Sequence, residues 1–403
     1  MFKIESLDHH GRGITKIDNK ISFIENALPG EIVEVNITKN KKKYLEGNVK
    51  KYIKYSKNRV TAPCKYYNFC GGCNIMHLKY ADQLKFKENK VKNILKKYLN
   101  KDIKINPIVK SDNVIHYRNK VTFHVKEDIG YYETDSNNLI KIDNCILAEK
   151  KIFDIFKYLK LLKLNNINKL TLRTNNNKIM LIIESSTNNI NINNIKEYFD
   201  SIYLKYNNKY IHLYGDKEIK MNLENYLYLI SPDSFFQVNK NVTIKLYNLI
   251  KSYIDKNECV LDLYCGTGSI GIFISDKCSK VLGIEINKYA INNAMINKEI
   301  NNIHNIDFIC NDSGKATEKL NFNPDVIIID PPRNGLNIQT INNILKYNSK
   351  KIIYVSCDPM TLVRDLKVFS DLYEIASITP FDMFPNTHHV ESVAILQRRK
   401  IKK

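Results

Sequence analysis

Short apolar runs recur along the last third of the chain, at residues 260–263, 281–286, 306–310, 326–329, 352–355 and 393–396, mostly with helical stretches between them. Strands that alternate with helices predict a parallel, doubly wound α/β sheet. In such a sheet ligands lie beyond the carboxyl ends of the strands. The first 58 residues read differently. Alternating segments at 16–23, 32–38 and 45–53 are separated by glycine-containing turns, among them Leu28-Pro29-Gly30, and predict a small OB-like β-barrel. Between these parts, Leu84, Phe86, Val91 and Leu95 fall near helical spacing within a stretch of about 78–99. Strand-like runs at 116–125, 169–173, 178–183 and 226–230 and a helical stretch at 150–164 follow. The expected organisation is a barrel over 1–58, a central α+β domain over 59–235 and a Rossmann-like domain over 236–403.

Charge adds a partner to this picture. Lys and Arg number 62 against 42 Asp and Glu, a formal net charge of +20, which favours a polyanion, with nucleic acid foremost. The run Lys39-Asn40-Lys41-Lys42-Lys43-Tyr44 would set lysines against RNA phosphates and offer an aromatic face for stacking. No run approaches the roughly 18 apolar residues of a membrane span, and the N-terminus has no apolar secretory core. Nine cysteines, an odd number without a signal peptide, read as reduced thiols or metal ligands. The expectation is a cytoplasmic monomer that binds RNA and no membrane.

The chemistry is concentrated at the predicted strand ends. The first ends in Asp262-Leu263-Tyr264-Cys265-Gly266-Thr267-Gly268-Ser269-Ile270-Gly271. Glycines such as Gly266 let the backbone approach a cofactor closely. Glu285, 19 residues beyond Gly266, can accept both hydroxyl hydrogens of an adenosine ribose. A G-x-G-x-x-G loop alone fits NAD equally well; the reactive groups on later strands favour S-adenosylmethionine. Those groups are Asp330-Pro331-Pro332-Arg333, Ser356-Cys357-Asp358-Pro359 and the segment 384–392, which holds His388, His389 and Glu391. Arg333 stands where methyltransferases acting on exocyclic base amines usually carry a stacking aromatic. A cysteine suits another target. Thiolate addition to carbon 6 of uracil makes carbon 5 nucleophilic, and a base must later remove the carbon-5 proton. Cys357 is the candidate thiol; Cys265, its rival, sits in the cofactor loop, where packing is expected.

Phe235-Phe236-Gln237-Val238-Asn239, DLYCGTGSIG, DPPRNGL, SCDPMTLVRDL and DMFPNTHHVES together resemble the RNA uracil-5 methyltransferase family, in that family's order. The glycine-rich start and Leu28-Pro29-Gly30-Glu31 resemble its TRAM domain. The resemblance implies Cys357 as nucleophile and Glu391 as base. It also implies Gln237, Tyr264, Glu285 and Asp330 as contacts for S-adenosylmethionine. Asp358 departs from the family's usual Asn, and a carboxylate beside the nucleophile would disfavour its thiolate.

Cys64, Cys70 and Cys73 form a C-x5-C-x2-C cluster, which matches neither a zinc ribbon nor a radical enzyme's triad. Four thiolates suit a [4Fe–4S] cluster. Cys145 is the best fourth ligand, because Cys259, Cys265, Cys278 and Cys310 all fall in the cofactor domain. The family's ribosomal branch shares this four-cysteine pattern, which points to 23S rRNA. Arg118 is a candidate phosphate contact. The rivals are a tRNA uracil-5 or RNA cytosine-5 methyltransferase and, from another class, a non-catalytic RNA-binding iron–sulfur sensor.

Overall fold

A computed structural model describes residues 1–99 and 102–400. Six strands make the N-terminal barrel, in the order Phe2–Lys3, Ile32–Asn40, Tyr44–Lys54, Lys20–Glu25, Gly13–Ile17, Ser6–Leu7. Ile4, Ile17, Ile24, Val33 and Leu45 fill it. The expected strand at 16–23 is a hairpin, turned at Asp18 and Asn19, whose φ values are +49° and +60°. Two consecutive left-handed residues are what a tight hairpin turn requires, and short polar side chains tolerate them. Tyr44 in the basic segment packs edge-on against Phe23, with ring centroids 5.8 Å apart. The buried carboxylate of Glu31 accepts hydrogen bonds from Arg59 (2.6 and 2.9 Å) and from the backbone N–H of Leu28 and Ser56, which fastens the barrel to the chain beyond it.

The central domain holds a seven-stranded sheet between Lys120 and Gly215, covered by the helix Lys150–Leu159. Phe123, Phe156, Leu170, Leu181 and Leu204 pack between them.

The C-terminal sheet is built from β1 (Cys259–Leu263), β2 (Lys280–Glu285), β3 (Ile306–Cys310), β4 (Val326–Ile329), β5 (Lys351–Ser356), β6 (Tyr373–Phe381) and β7 (Glu391–Arg398). Their order is β3-β2-β1-β4-β5-β7-β6, parallel except for β7, which runs antiparallel to both its neighbours. The β2–β1–β4–β5 part is buried on both faces, as its unbroken apolar runs require. One face is covered by α2 (Lys240–Ser252), α3 (Ser269–Ile274) and the hairpin 219–230. The other is covered partly by α4 (Pro359–Phe369) and by α1 (Tyr80–Leu99), which comes from far upstream in sequence. Val91, Leu95 and Leu99 sit four residues apart on α1 and face this core. Each such side chain contributes about 1.5–3 kcal/mol on burial, so the helix belongs physically to the cofactor sheet. Among the described residues no helix is long and apolar enough to cross a membrane.

Candidate active site

The loop after β1 is shaped by three residues in the left-handed region, Tyr264 (φ +62°), Gly266 (+55°) and Gly268 (+74°). For tyrosine that conformation is strained, by about 1–2 kcal/mol. The two glycines serve different ends. A Cβ on Gly268 would lie 2.6 Å from the Phe308 ring, whereas one on Gly266 would meet nothing within 4 Å. Gly268 is thus required by packing, and Gly266 borders open space. Glu285, at the end of β2, accepts hydrogen bonds from the N–H groups of Gly266 (3.2 Å) and Asn287 (2.8 Å), which fixes its carboxylate beside the loop. Cys265 is buried, and burial raises its thiol far above the ordinary value. It packs against Gly283, in line with a structural role.

Asp262 lies under this loop, fully buried. One carboxylate oxygen accepts the N–H of Gly271 (3.2 Å) and the other has no partner. Burial, with Asp330 adding, pushes its pKa up to about 8. Sequence reading gave this residue no role, although it opens the motif. Gln237 is buried at the start of α2, and its backbone carbonyl accepts the Asn119 side-chain amide (3.0 Å). Asn239 caps α2 and donates to Met383 (3.3 Å), so the 235–239 motif is tied to the C-terminal motif.

Cys357 and Glu391 meet where β5 and β7 diverge. Ser356 pairs with Ser392 as the last rung of the β5–β7 ladder, so Cys357, one residue after the first, and Glu391, one residue before the second, both lie just past that rung, within electrostatic reach of each other. Burial pushes the Cys357 thiol up to about 11, with Glu391, Asp330 and Asp358 adding and Arg333 opposing. Burial likewise pushes Glu391, 2% exposed, up to about 8; Asp330 adds and Arg333 opposes. Asp330, at the end of β4, is raised to about 7 by burial. Arg333 is the cation that opposes both the Cys357 and the Glu391 shift, and burial biases the thiol, Asp262 and Glu391 toward their neutral forms. Asp358 has another occupation. Its carboxylate caps α4, accepting the N–H groups of Met360 (2.7 Å) and Thr361 (3.0 Å). The helix N-terminus thereby offsets much of the charge expected to disfavour a Cys357 thiolate.

The segment 382–391, which carries Glu391, is clamped from outside the sheet. Asp382 and Lys87 of α1 form an ion pair with both side chains fully buried. Tyr80 donates to Asp382 (2.9 Å), and Lys87 also donates to the Phe384 carbonyl (2.9 Å). Gln83 exchanges two hydrogen bonds with Asn386 (3.1 and 2.9 Å). Asn74 and Ile75 donate their backbone N–H groups to the Asn386 carbonyl, and Tyr117 donates to Pro385. No local sequence signal announced this clamp.

Cys64, Cys70, Cys73 and Cys145 line one cavity of about 60 Å3, together with Arg118 and Tyr131. Burial raises Cys64 and Cys73 and pushes Cys70 up to about 11. Among the described residues no three His, Cys, Asp or Glu side chains converge as a site for a single metal ion. Arg118 is partly exposed. Its guanidinium is turned toward these thiols, packs over Tyr117 and Phe384, and has no carboxylate partner among the described residues.

A family model described as tRNA (Uracil-5-)-methyltransferase matches residues 79–399, and a TRAM domain model matches residues 3–50. An uncharacterized RNA methyltransferase of Clostridium tetani is 35% identical over 98% of this chain and 95% of its own length. One from Clostridium acetobutylicum is 36% identical over 98% and 96%. Among solved structures, the Pyrococcus abyssi tRNA (uracil-54, C5)-methyltransferase in complex with S-adenosyl-L-homocysteine superposes with a TM-score of 0.80 at 28% identity, over 98% of this chain and 100% of that one. With a TRAM barrel at one end and a class I methyltransferase sheet at the other, the chain belongs to the tRNA (uracil-5-)-methyltransferase family of S-adenosylmethionine-dependent RNA methyltransferases.

Proposed function

We propose that this methyltransferase modifies carbon 5 of a uridine in 23S rRNA, with Cys357 as nucleophile and Glu391 as general base. The observation that carries the reading is that Cys357 and Glu391 both lie just past the last rung, Ser356–Ser392, at the open end of the sheet. A base lying between them would have a thiol on carbon 6 and a carboxylate near carbon 5. The residues fit S-adenosylmethionine: Gly266 borders open space, Glu285 is fixed for a ribose, and Asp262 holds an unpartnered buried oxygen. Gln237, Tyr264 and Asp330 complete the proposed contacts. When bound, the sulfonium supplies the methyl group, and its positive charge favours the ionised forms of the surrounding acids. Cys357 gives its proton to solvent and adds as the thiolate to carbon 6, carbon 5 takes the methyl, Glu391 in its carboxylate form accepts the carbon-5 proton, and the carbon–sulfur bond breaks to release the Cys357 thiolate. Arg333 favours the charged form of both groups.

The four cysteines are proposed to hold a [4Fe–4S] cluster. Their cavity is bounded by four thiols rather than closed around one ion, and the uncompensated Arg118 guanidinium would balance an anionic tetrathiolate cluster. This cysteine set, which resembles the ribosomal branch, favours 23S rRNA. The Pyrococcus abyssi structure favours a second reading, a tRNA uridine. Mapping 5-methyluridine by mass spectrometry in rRNA and tRNA from cells lacking the gene decides between them. Loss of one rRNA site is expected; loss in tRNA with intact rRNA overturns the assignment.

A further inference from the structure

A row of rings crosses the boundary between the barrel and the catalytic sheet. His9 and His10 lie in the loop between the strands Ser6–Leu7 and Gly13–Ile17, with centroids 4.1 Å apart. His10 meets His388 edge-on at 5.1 Å, and His388 meets His389 at 4.2 Å. His389 lies within electrostatic reach of Arg333, the same cation that bears on Cys357 and Glu391.

The row is held rigidly. Asp8 accepts the N–H groups of His10 (2.9 Å) and Arg12 (2.8 Å). A Cβ on Gly11 would lie 2.5 Å from Ile75, so the loop is pressed against the strip that clamps Asn386. His388 shares a 3.0 Å hydrogen bond with the Asn74 side chain. Burial, with neighbouring imidazoles and cations adding, lowers His10, His388 and His389 below the ordinary value. Burial thus favours the neutral imidazole at His388 and His389, and Lys90 beside them donates to the His388 carbonyl (3.0 Å).

At its far end the row opens on a cavity of about 530 Å3 between the barrel and α1. His9 and Phe86 supply aromatic walls there, Asn89, Asn93, Asp8 and Asp82 supply polar edges, and Lys85 and Lys90 add cations at the rim. Carboxylates disfavour a phosphate but accept hydrogen bonds from exocyclic base amines, and Asn amides pair with adenine edges. Neutral rings flanked by cations are a stacking track for single-stranded RNA.

We propose that nucleotides flanking the target uridine stack along His389, His388, His10 and His9, and that one unpaired amino-bearing base enters the cavity at Phe86 and Asn89. The proposal rests on the RNA uracil-5 reading of the site. It is tested with uridine-centred RNA 11-mers carrying the fluorescent base 2-aminopurine at each flanking position in turn, bound to the full chain with S-adenosylhomocysteine. Quenching at flanking positions on one side of the uridine is expected. His10→Ala should abolish it and weaken binding about 5- to 100-fold, the range for losing one stacked base. His10→Phe should restore both, and Asn89→Ala should lose only the outermost quenching. Equal quenching and affinity in wild type and His10→Ala, or failure of His10→Phe to restore them, overturns the track. Folding of each variant is checked by thermal melting and S-adenosylhomocysteine binding. A separate arm uses the same 11-mers with 5-fluorouridine at the centre and S-adenosylmethionine in place of S-adenosylhomocysteine, because the stable adduct forms only after methyl transfer. A covalent adduct in wild type with no flanking quenching refutes the track alone, whereas flanking quenching without any adduct refutes the uracil-5 reading.

Discussion

Cys357 and Glu391 lie just beyond the Ser356–Ser392 pair, on segments that run in opposite directions, and the Glu391 charge reaches the Cys357 thiol. The end of a rigid ladder thus brings the proposed nucleophile and base to one place without requiring a flexible loop. Glu391 adds to the upward shift of the Cys357 thiol, and Arg333 opposes the shift of both.

Covalent catalysis is the first consequence. Cys357→Ala should keep S-adenosylmethionine and RNA affinity but lose methyl transfer by at least about 1,000-fold. With 5-fluorouridine RNA, wild type should form an adduct stable to denaturing electrophoresis, and the variant none. Substantial methylation by Cys357→Ala would end the thiolate mechanism.

Removing the base should separate transfer from release. Glu391→Gln keeps the side chain's size but not its basicity, so a methylated protein–RNA species should accumulate with ordinary uridine. Its release should be slower by about 100- to 10,000-fold. Label from the cofactor methyl in the trapped band is the readout; normal turnover would transfer the role to another group, His388 or His389 first.

The raised acids fix the sign of a pH dependence. Asp262 and Glu391 titrate near 8 and Asp330 near 7, against ordinary values near 4. The folded protein therefore holds protons that the unfolded chain gives up. Their contribution to stability is full below about pH 4 and is lost as pH rises through 7 to 8. Below about pH 6.5 the lowered histidines His10, His388 and His389 oppose this trend, so the ligand-free protein should melt at progressively lower temperature between about pH 6.5 and 8, and Asp262→Asn should flatten that slope. S-adenosylmethionine should stabilise more at pH 8.5 than at pH 6, because a sulfonium favours the ionised acids. Equal ligand-induced shifts at both pH values would contradict the electrostatic account.

The buried Lys87–Asp382 pair should behave as a unit. Lys87→Met strands an uncompensated carboxylate and should cost about 3–5 kcal/mol, measured by urea unfolding. Adding Asp382→Asn should recover a large part of that loss. Additive losses would mean that the two side chains do not interact.

Purified without oxygen, the protein should be brown and carry about four irons. Changing Cys64, Cys70, Cys73 or Cys145 to Ser should bleach it. Stoichiometric zinc without iron would refute the cluster, and an unbleached Cys145→Ser would refute the fourth ligand.

What the sequence disclosed was whatever is local. The strand ends carrying Asp262, Glu285, Asp330 and Cys357 were legible because a buried parallel strand is a continuous apolar run that stops at its functional residue. β6 escaped notice: YEIASITPF contains a bulge between Ile375 and Ser377 and a proline near its end, both of which break the pattern of a strand. Lys209–Gly215 was missed for another reason, since it is a largely exposed edge strand without a buried stripe. Its two-residue Asn207-Asn208 turn, both with positive φ, was the available clue. The clamp on residues 382–391 joins residues about 300 positions apart and the histidine row joins His10 to His388, and no periodicity encodes such pairs.

That long reach has a consequence for synthesis. Lys87 and Asp382 are separated by 295 residues, which a ribosome adds in about 15–60 s. Throughout that interval α1 has emerged with Val91, Leu95 and Leu99 exposed and with a lysine whose counter-charge does not yet exist. The barrel and central sheet can fold while they wait; the catalytic centre cannot. A nascent chain of this protein therefore offers chaperones a defined apolar helix for most of its translation, and prematurely terminated products carry the RNA-binding barrel without any means of acting on what it binds.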